Sequence, residues 1–362
     1  MGDPVLRSYA NILVNYSAAV KKGETVLLRG NPEAAPLVKE VYAALLRAGS
    51  HPRVKVGLDE LETVFYELAS DDQIDHLGEI DRFEAEHIDA MIAIRAPMNT
   101  RQLAGVDPAK QSRRMVATRP IQETILSRVR WAVCIYPTAA LAQEADMSLD
   151  DYARFVYGAC WADDPDGIER WRELSRDQEA LIERLDKADV VRLKGPGTDL
   201  TLRTKGRKWI NSDGRHNMPS GEVFTAPLEE SASGEITFSY PAIYNGREVS
   251  GIRLVFADGA VTEATAGKGE EFLKKMLASD EGASRLGEIG IGTNRRIDRF
   301  TKSILFDEKI GGTVHLALGR AYKEECGGGN ESAIHWDMIV DLRRGGEVRL
   351  DGDVFQRDGE FV

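Results

Sequence analysis

Five residues in the C-terminal half of the chain are of types that bind divalent cations, and their settings hold them near one another in kind: Glu222, Glu288, His315, His335 and Asp337. His335 and Asp337 lie in Ser332-Ala333-Ile334-His335-Trp336-Asp337-Met338-Ile339-Val340. The period-two alternation of a strand sets these two on one face and Ile334, Trp336, Met338 and Val340 on the other. Neutral imidazole and ionised carboxylate both ligate Zn²⁺ at about 2.0–2.2 Å, so the pair has the composition of a metal site. His315 stands in Val314-His315-Leu316-Ala317-Leu318, where the small Ala317 on its own face leaves room above the sheet. Glu222 is carried between Pro219 and Pro227, whose fixed φ limits the freedom of the turn. Glu288 is surrounded by Gly287, Gly290 and Gly292, which permit close backbone approach around one acid. Taken one at a time, each has an ordinary structural reading as well: a His–Asp hydrogen bond, a satisfied strand histidine, or a solvated loop acid.

The elements that must position these residues fall into two styles. Residues 4–19 have helical apolar spacing. Thr25–Arg29 reads as a buried strand, a helix follows from Asn31-Pro32 to the Gly49 stop, and Pro52–Val56 is the next strand, which together make a βαβ unit with a parallel sheet. Ala90–Ile94 and Trp131–Tyr136 add strands, separated by a helix over about 108–129, and a long polar helix spans 163–188. Beyond it, strands at Val190–Leu193, Leu200–Leu202, Ile236–Ser239, Arg253–Ala257, Ala260–Ala264, Thr313–Leu318, Ala333–Val340 and Glu347–Leu350 are interrupted by one long helix near 267–285. The expected organisation is an α/β N-terminal domain with a mostly parallel sheet over 1–188 and a β-rich α+β C-terminal domain over 189–362 that bears the metal-binding residues.

Composition excludes several function classes. The chain of 362 residues carries 47 Lys and Arg against 59 Asp and Glu, a formal charge of −12, which disfavours nucleic acid and acidic membrane as partners. No apolar run approaches the roughly 18–20 residues of a membrane span, and the N-terminus lacks the apolar core of a signal peptide. Three widely spaced cysteines, Cys134, Cys160 and Cys326, fit neither a metal clip nor a disulfide framework. A cytoplasmic location is expected. The sequence contains no phosphate-binding P-loop, dinucleotide fingerprint, HExxH zincin motif or GxSxG elbow.

Read as ordered segments, Asn217–Pro227 (NMPSGEVFTAP), Leu286–Asn294 (LGEIGIGTN), Gly311–Tyr322 (GGTVHLALGRAY) and Glu331–Leu342 (ESAIHWDMIVDL) resemble the thermophilic-type aminopeptidases of peptidase family M29, the group of aminopeptidases T and S. The opening YANILVNYSAAVKKGETVLLRG and the closing VRLDGDVFQRDGEFV are similar to that family as well, so the likeness spans nearly the whole chain. The resemblance implies two divalent ions held by Glu222, Glu288, His315, His335 and Asp337, with Glu288 bridging, and a catalytic role for Tyr322. Zinc is the first expectation, with cobalt or manganese as alternatives. It further implies hydrolysis of the N-terminal residue of short peptides by an activated water, and a homodimer. A dinuclear amidohydrolase acting on a non-peptide amide, or a non-catalytic metal- or ligand-binding module on the same fold, are the competing readings.

Overall fold

The computed structural model describes residues 3–362; Met1 and Gly2, at the start of the expected first domain, lie outside the described residues. The chain divides into two compact units, one comprising residues up to Trp171 with Gly214–Pro219, the other Arg172–Asp213 with Ser220–Val362. Residues 172–188 thus go with the second unit, and a short segment returns to the first.

The first unit is α/β. Its five-stranded sheet runs His51–Val56, Thr25–Gly30, Ala90–Arg95, Arg130–Ile135, Asn217–Met218, every neighbouring pair parallel. Val26, Leu27 and Leu28 are consecutive buried residues, the uninterrupted apolar run of a strand covered on both faces. The N-terminal helix differs from a single helix over 4–19: Pro4–Ile12 is α-helical, capped by the Asp3 carboxylate on the Val5 N–H, and Leu13–Ser17 is a π-helical turn. Three helices at Glu60–Leu68, Asp71–Asp75 and Glu79–His87 add to the expected elements.

The second unit is β-rich. An eight-stranded sheet and a five-stranded sheet share one apolar core that includes Leu193, Ile236, Phe256, Ile289, Leu316 and Trp336. The five-stranded sheet is ordered His335–Asp341, Thr313–Gly319, Leu286–Gly292, Glu222–Thr225, Ile210–Ser212, antiparallel throughout. Two corrections to the sequence reading follow. Glu288 lies inside a wholly buried strand rather than a glycine loop, and Glu222 opens a strand rather than sitting within the turn. The helix expected near 267–285 is Glu270–Leu277 followed by a 3₁₀ turn at Glu281–Ser284. Among the described residues no helix is long and apolar enough to cross a membrane.

This sheet has two unlike faces. Val223, Ile289, Ile291, Val314, Leu316, Leu318, Trp336, Met338 and Val340 point into the core. Strand alternation therefore turns Glu222, Glu288, His315, His335 and Asp337 to the opposite face. On it Ala317 pairs directly with Glu288 on one side and with Asp337 on the other, and Gly290 pairs with His315. A Cβ on Gly290 would fall inside the His315 imidazole, so the absence of a side chain there is what admits the ring. Gly221, at φ +116°, turns the chain into Glu222 against the backbone of Asn294. Gly290→Ala is expected to lower the unfolding free energy by about 1–3 kcal/mol through overpacking against His315, read from urea denaturation. An unchanged midpoint would contradict this packing.

Candidate metal centre

The five residues singled out in the sequence come together on that face, and a sixth joins them. Glu222, Glu308 and His315 present ligand atoms within 4.8 Å of one another; Glu288, His335 and Asp337 form a second such group. Glu288 links the two, with Oε1 at 3.2 Å from His315 Nε2 and Oε2 at 3.4 Å from His335 Nε2. His315 Nε2 also stands 3.6 Å from Glu222 Oε2, and His335 Nε2 3.6 Å from Asp337 Oδ1. Donors about 2.0–2.2 Å from a tetrahedral ion are about 3.3–3.6 Å from one another, so this spacing fits ligation.

The hydrogen bonds of the imidazoles fix their orientation. His315 Nδ1 lies 3.2 Å from the Glu308 carbonyl, and His335 Nδ1 lies 2.7 Å from the Arg320 carbonyl. A carbonyl only accepts, so each Nδ1 is the protonated nitrogen and each Nε2 is turned toward carboxylate oxygens. Backbone carbonyls that accept from the far ring nitrogen orient metal-binding histidines in this way. Glu222 Oε2 is buried without a hydrogen-bond partner, a costly state that a cation relieves. The donor set of oxygens and imidazole nitrogens, with no thiolate, suits a divalent ion such as zinc in an open site.

Without an ion, protons and a lysine supply the positive charge. Burial alone would lower the His315 pKa, but the bond to Glu288 and the charges of Glu222, Glu288 and Glu308 raise it to about 10. His335 is likewise raised well above its ordinary value: the desolvation that opposes this is outweighed by Asp337 and Glu288. Burial pushes Asp337 upward, yet His335 holds it down at about 2. Glu308 is carried by burial up to about 8 despite the opposing charge of Lys309. Lys309 is fully buried, its Nζ 3.3 Å from Glu222 Oε1 and in direct contact with Glu308. Desolvation would lower its pKa; the two carboxylates more than offset that and keep it an ammonium.

Tyr322 stands beside this cluster, its ring 5.3 Å from that of His335 and 5.7 Å from that of Phe224, with 37% of its surface exposed. Partial burial and then the charges of Glu288, Asp337, Glu308 and Glu222 raise its pKa, so the phenol keeps its proton. Gln178, fully buried on the helix Gly167–Leu185, donates to the Glu222 carbonyl at 2.7 Å and to Thr293 Oγ1 at 3.0 Å, fixing the strand start. Sequence reasoning missed Glu308, Lys309 and Gln178. The only local signal for the first two is an acid–lysine pair immediately before the Gly311-Gly312 turn into the His315 strand.

Residues 3–361 match the thermophilic metalloprotease family M29. The chain belongs to this family. It is 28% identical to aminopeptidase PepS of Streptococcus thermophilus, over 99% of this chain and 95% of that protein, and 28% identical to aminopeptidase T of Thermus thermophilus, over 98% and 95%. The solved structure of wild-type AmpT from Thermus thermophilus superimposes with a TM-score of 0.86 at 26% identity, covering 99% of both chains. As an M29 member the protein is a metal-dependent peptidase, and its two-part architecture is that of the solved relative.

The raised imidazole pKa values make metal binding and pH interdependent. A group whose folded pKa exceeds its unfolded value of about 6.5 stabilises the fold below that value and loses the contribution as pH rises through the folded pKa. For His315 the window runs from about 6.5 to about 10. Metal-free protein is thus expected to melt at a lower temperature at pH 9.5 than at pH 7. Loading zinc at pH 7 should release about three protons, one per imidazole and one from Glu308, measured by calorimetric titration in buffers of different ionisation enthalpy. A pH-independent melting temperature together with no proton release would contradict this electrostatic assignment.

Proposed function

We propose that this M29 peptidase is an aminopeptidase that removes the N-terminal residue from short peptides at a dinuclear metal centre. The observation that carries the proposal is the pair of three-residue ligand groups on one sheet face, with the two oxygens of Glu288 directed at the histidines of both. Glu222, Glu308 and His315 would hold one ion, His335 and Asp337 the other, and Glu288 both. The relatives named aminopeptidases support the exopeptidase assignment. When bound, two divalent ions supply Lewis acidity and an acidified water as nucleophile.

The chain's own residues complete the chemistry. Carboxylate oxygens of the site can accept hydrogen bonds from the free amine of a substrate. Ligation would ionise Glu308, and with the Lys309 ammonium, neutral histidines and two divalent ions the cluster would have one net positive charge, which favours a developing oxyanion. Tyr322, protonated and beside His335, donates to that oxyanion or to the departing amine. The three buried, unpaired cysteines are in keeping with a reducing, cytoplasmic compartment.

Acetylating the amine of a good dipeptide substrate is expected to lower kcat/KM by about 10²-fold or more, because the acids of the site are left without their partner. Equal values for the free and acetylated forms would favour a general amidohydrolase. Tyr322→Phe should retain wild-type metal content by elemental analysis while kcat falls about 10²–10³-fold, the effect of removing one oxyanion donor. An undiminished kcat would make Tyr322 a packing residue.

A further inference from the structure

Next to the carboxylate cluster the second unit contains a cavity of about 290 Å³ whose lining includes His335, Asp337, Ile243, Phe300, Lys302 and Ile304. Its cation, Lys302, shares a turn with the acid Asp307, whose carboxylate also accepts from the Lys302 backbone N–H. Asp337 belongs to the ligand group, and Asp307, also in the wall, has Oδ1 occupied by the Thr301 N–H and hydroxyl at 2.7 and 2.8 Å. Lys302 reaches the wall from a backbone at φ +62°, a conformation that non-glycine residues seldom adopt and that is enriched at functional sites. Its Nζ is 3.8 Å from Glu248 Oε2, but Lys268 already pairs with Glu248 at 3.0 Å, so two ammonium groups share one carboxylate. The cavity wall therefore offers the Lys302 ammonium and the apolar Phe300 and Ile304 together with His335 and Asp337 of the ligand group.

The backbone contributes a second observation. The His335 strand is the outermost of its sheet. The Ile339 carbonyl accepts from the Ser239 N–H at 2.9 Å, the Asp341 N–H donates to Ser239 Oγ at 2.9 Å, and the His335 N–H is directed at the Tyr244 hydroxyl. The odd-numbered residues of the strand thus turn their backbone groups away from the sheet, and by the same alternation Asp337 does so too. Among the described residues none hydrogen-bonds to the Asp337 N–H or C=O, which face the open edge beside the cavity. This one rung, flanked by the occupied groups of His335 and Ile339, can pair with one residue of an extended peptide. The apolar wall is held rigidly: Phe300 stacks on Tyr240 at 4.9 Å and 5°, and the Tyr240 hydroxyl is fixed by Asp341 and Arg343 at 2.8 and 2.9 Å.

We propose that this cavity seats the carboxyl side of a short peptide, with the backbone along the outer edge at Asp337, an apolar side chain against Phe300 and Ile304, and the free C-terminal carboxylate at Lys302. The proposal rests on the aminopeptidase reading above and names its substrate class: di- and tripeptides with an apolar residue after the scissile bond. The orientation follows from Lys302, which repels an ammonium and attracts a carboxylate, and from the aminopeptidase reading, which places the free amine and scissile bond at the ligand group.

The test compares Leu-Leu with its C-terminal amide, using zinc-loaded full-length enzyme and Lys302→Met, with metal content confirmed by elemental analysis. Wild type should prefer the acid, and Lys302→Met should lower the acid-to-amide ratio of kcat/KM about tenfold, mainly through KM. Ile304→Ala should narrow the preference for Leu-Leu over Leu-Gly, a change at the second residue of the substrate. An unchanged ratio in an active, metal-loaded Lys302→Met enzyme overturns the proposal alone, as does an Ile304→Ala effect confined to the first residue. A metal-loaded wild type that hydrolyses neither compound overturns the aminopeptidase reading and the proposal with it.

Discussion

Four carboxylates within reach of one another, two buried and two half-buried, repel, and desolvation sharpens the repulsion, so Glu222, Glu288, Glu308 and Asp337 require positive charge close at hand for the fold to tolerate them. The surroundings are arranged to meet that requirement. Lys309 bridges Glu222 and Glu308, and two imidazoles whose Nδ1 atoms are committed to backbone carbonyls turn Nε2 toward the remaining oxygens. In the metal-free protein those nitrogens hold protons; a divalent ion exchanges for them. The perturbed pKa values, the orphaned Glu222 oxygen and the close spacing of donors are therefore consequences of a single electrostatic demand.

The sheet meets it without sacrificing the core. Alternation along five antiparallel strands places Ile, Leu, Val, Met and Trp on one side and every site residue of those strands on the other. The charged face is spacious because Ala317 and Gly290 occupy the rungs between the ligands. A larger residue at either would push the imidazoles and carboxylates apart. Gln178 and the turn at Gly221 then fix the end of the strand that carries Glu222.

Much of this was legible in the amino-acid sequence. The parallel-sheet strands announce themselves as short apolar runs, and the alternation of Ile334 to Val340 correctly set His335 and Asp337 on one face, as the small Ala317 correctly signalled space above the sheet. The strand Leu286–Gly292 that carries Glu288 was missed because it is buried on both faces and rich in glycine, so it has neither alternation nor strong strand propensity. The helices Glu60–Leu68 to Glu79–His87 were missed because Leu61, Leu68, Ile80 and Phe83 are exposed and give no clean amphipathic stripe. Glu308 and Lys309 enter the site through a tertiary turn, and no local periodicity encodes that.

The placement of Lys309 also makes the two ligand groups unequal. It touches two carboxylates of one group and none of the other, so the group of Glu222, Glu308 and His315 already contains a counter-ion tethered to the chain. A chelator can strip everything from this centre except that charge. The cluster is consequently polarised: at its Lys309 pole an arriving cation shares its anions with a permanent resident, whereas Glu288, His335 and Asp337 have no such lysine beside them.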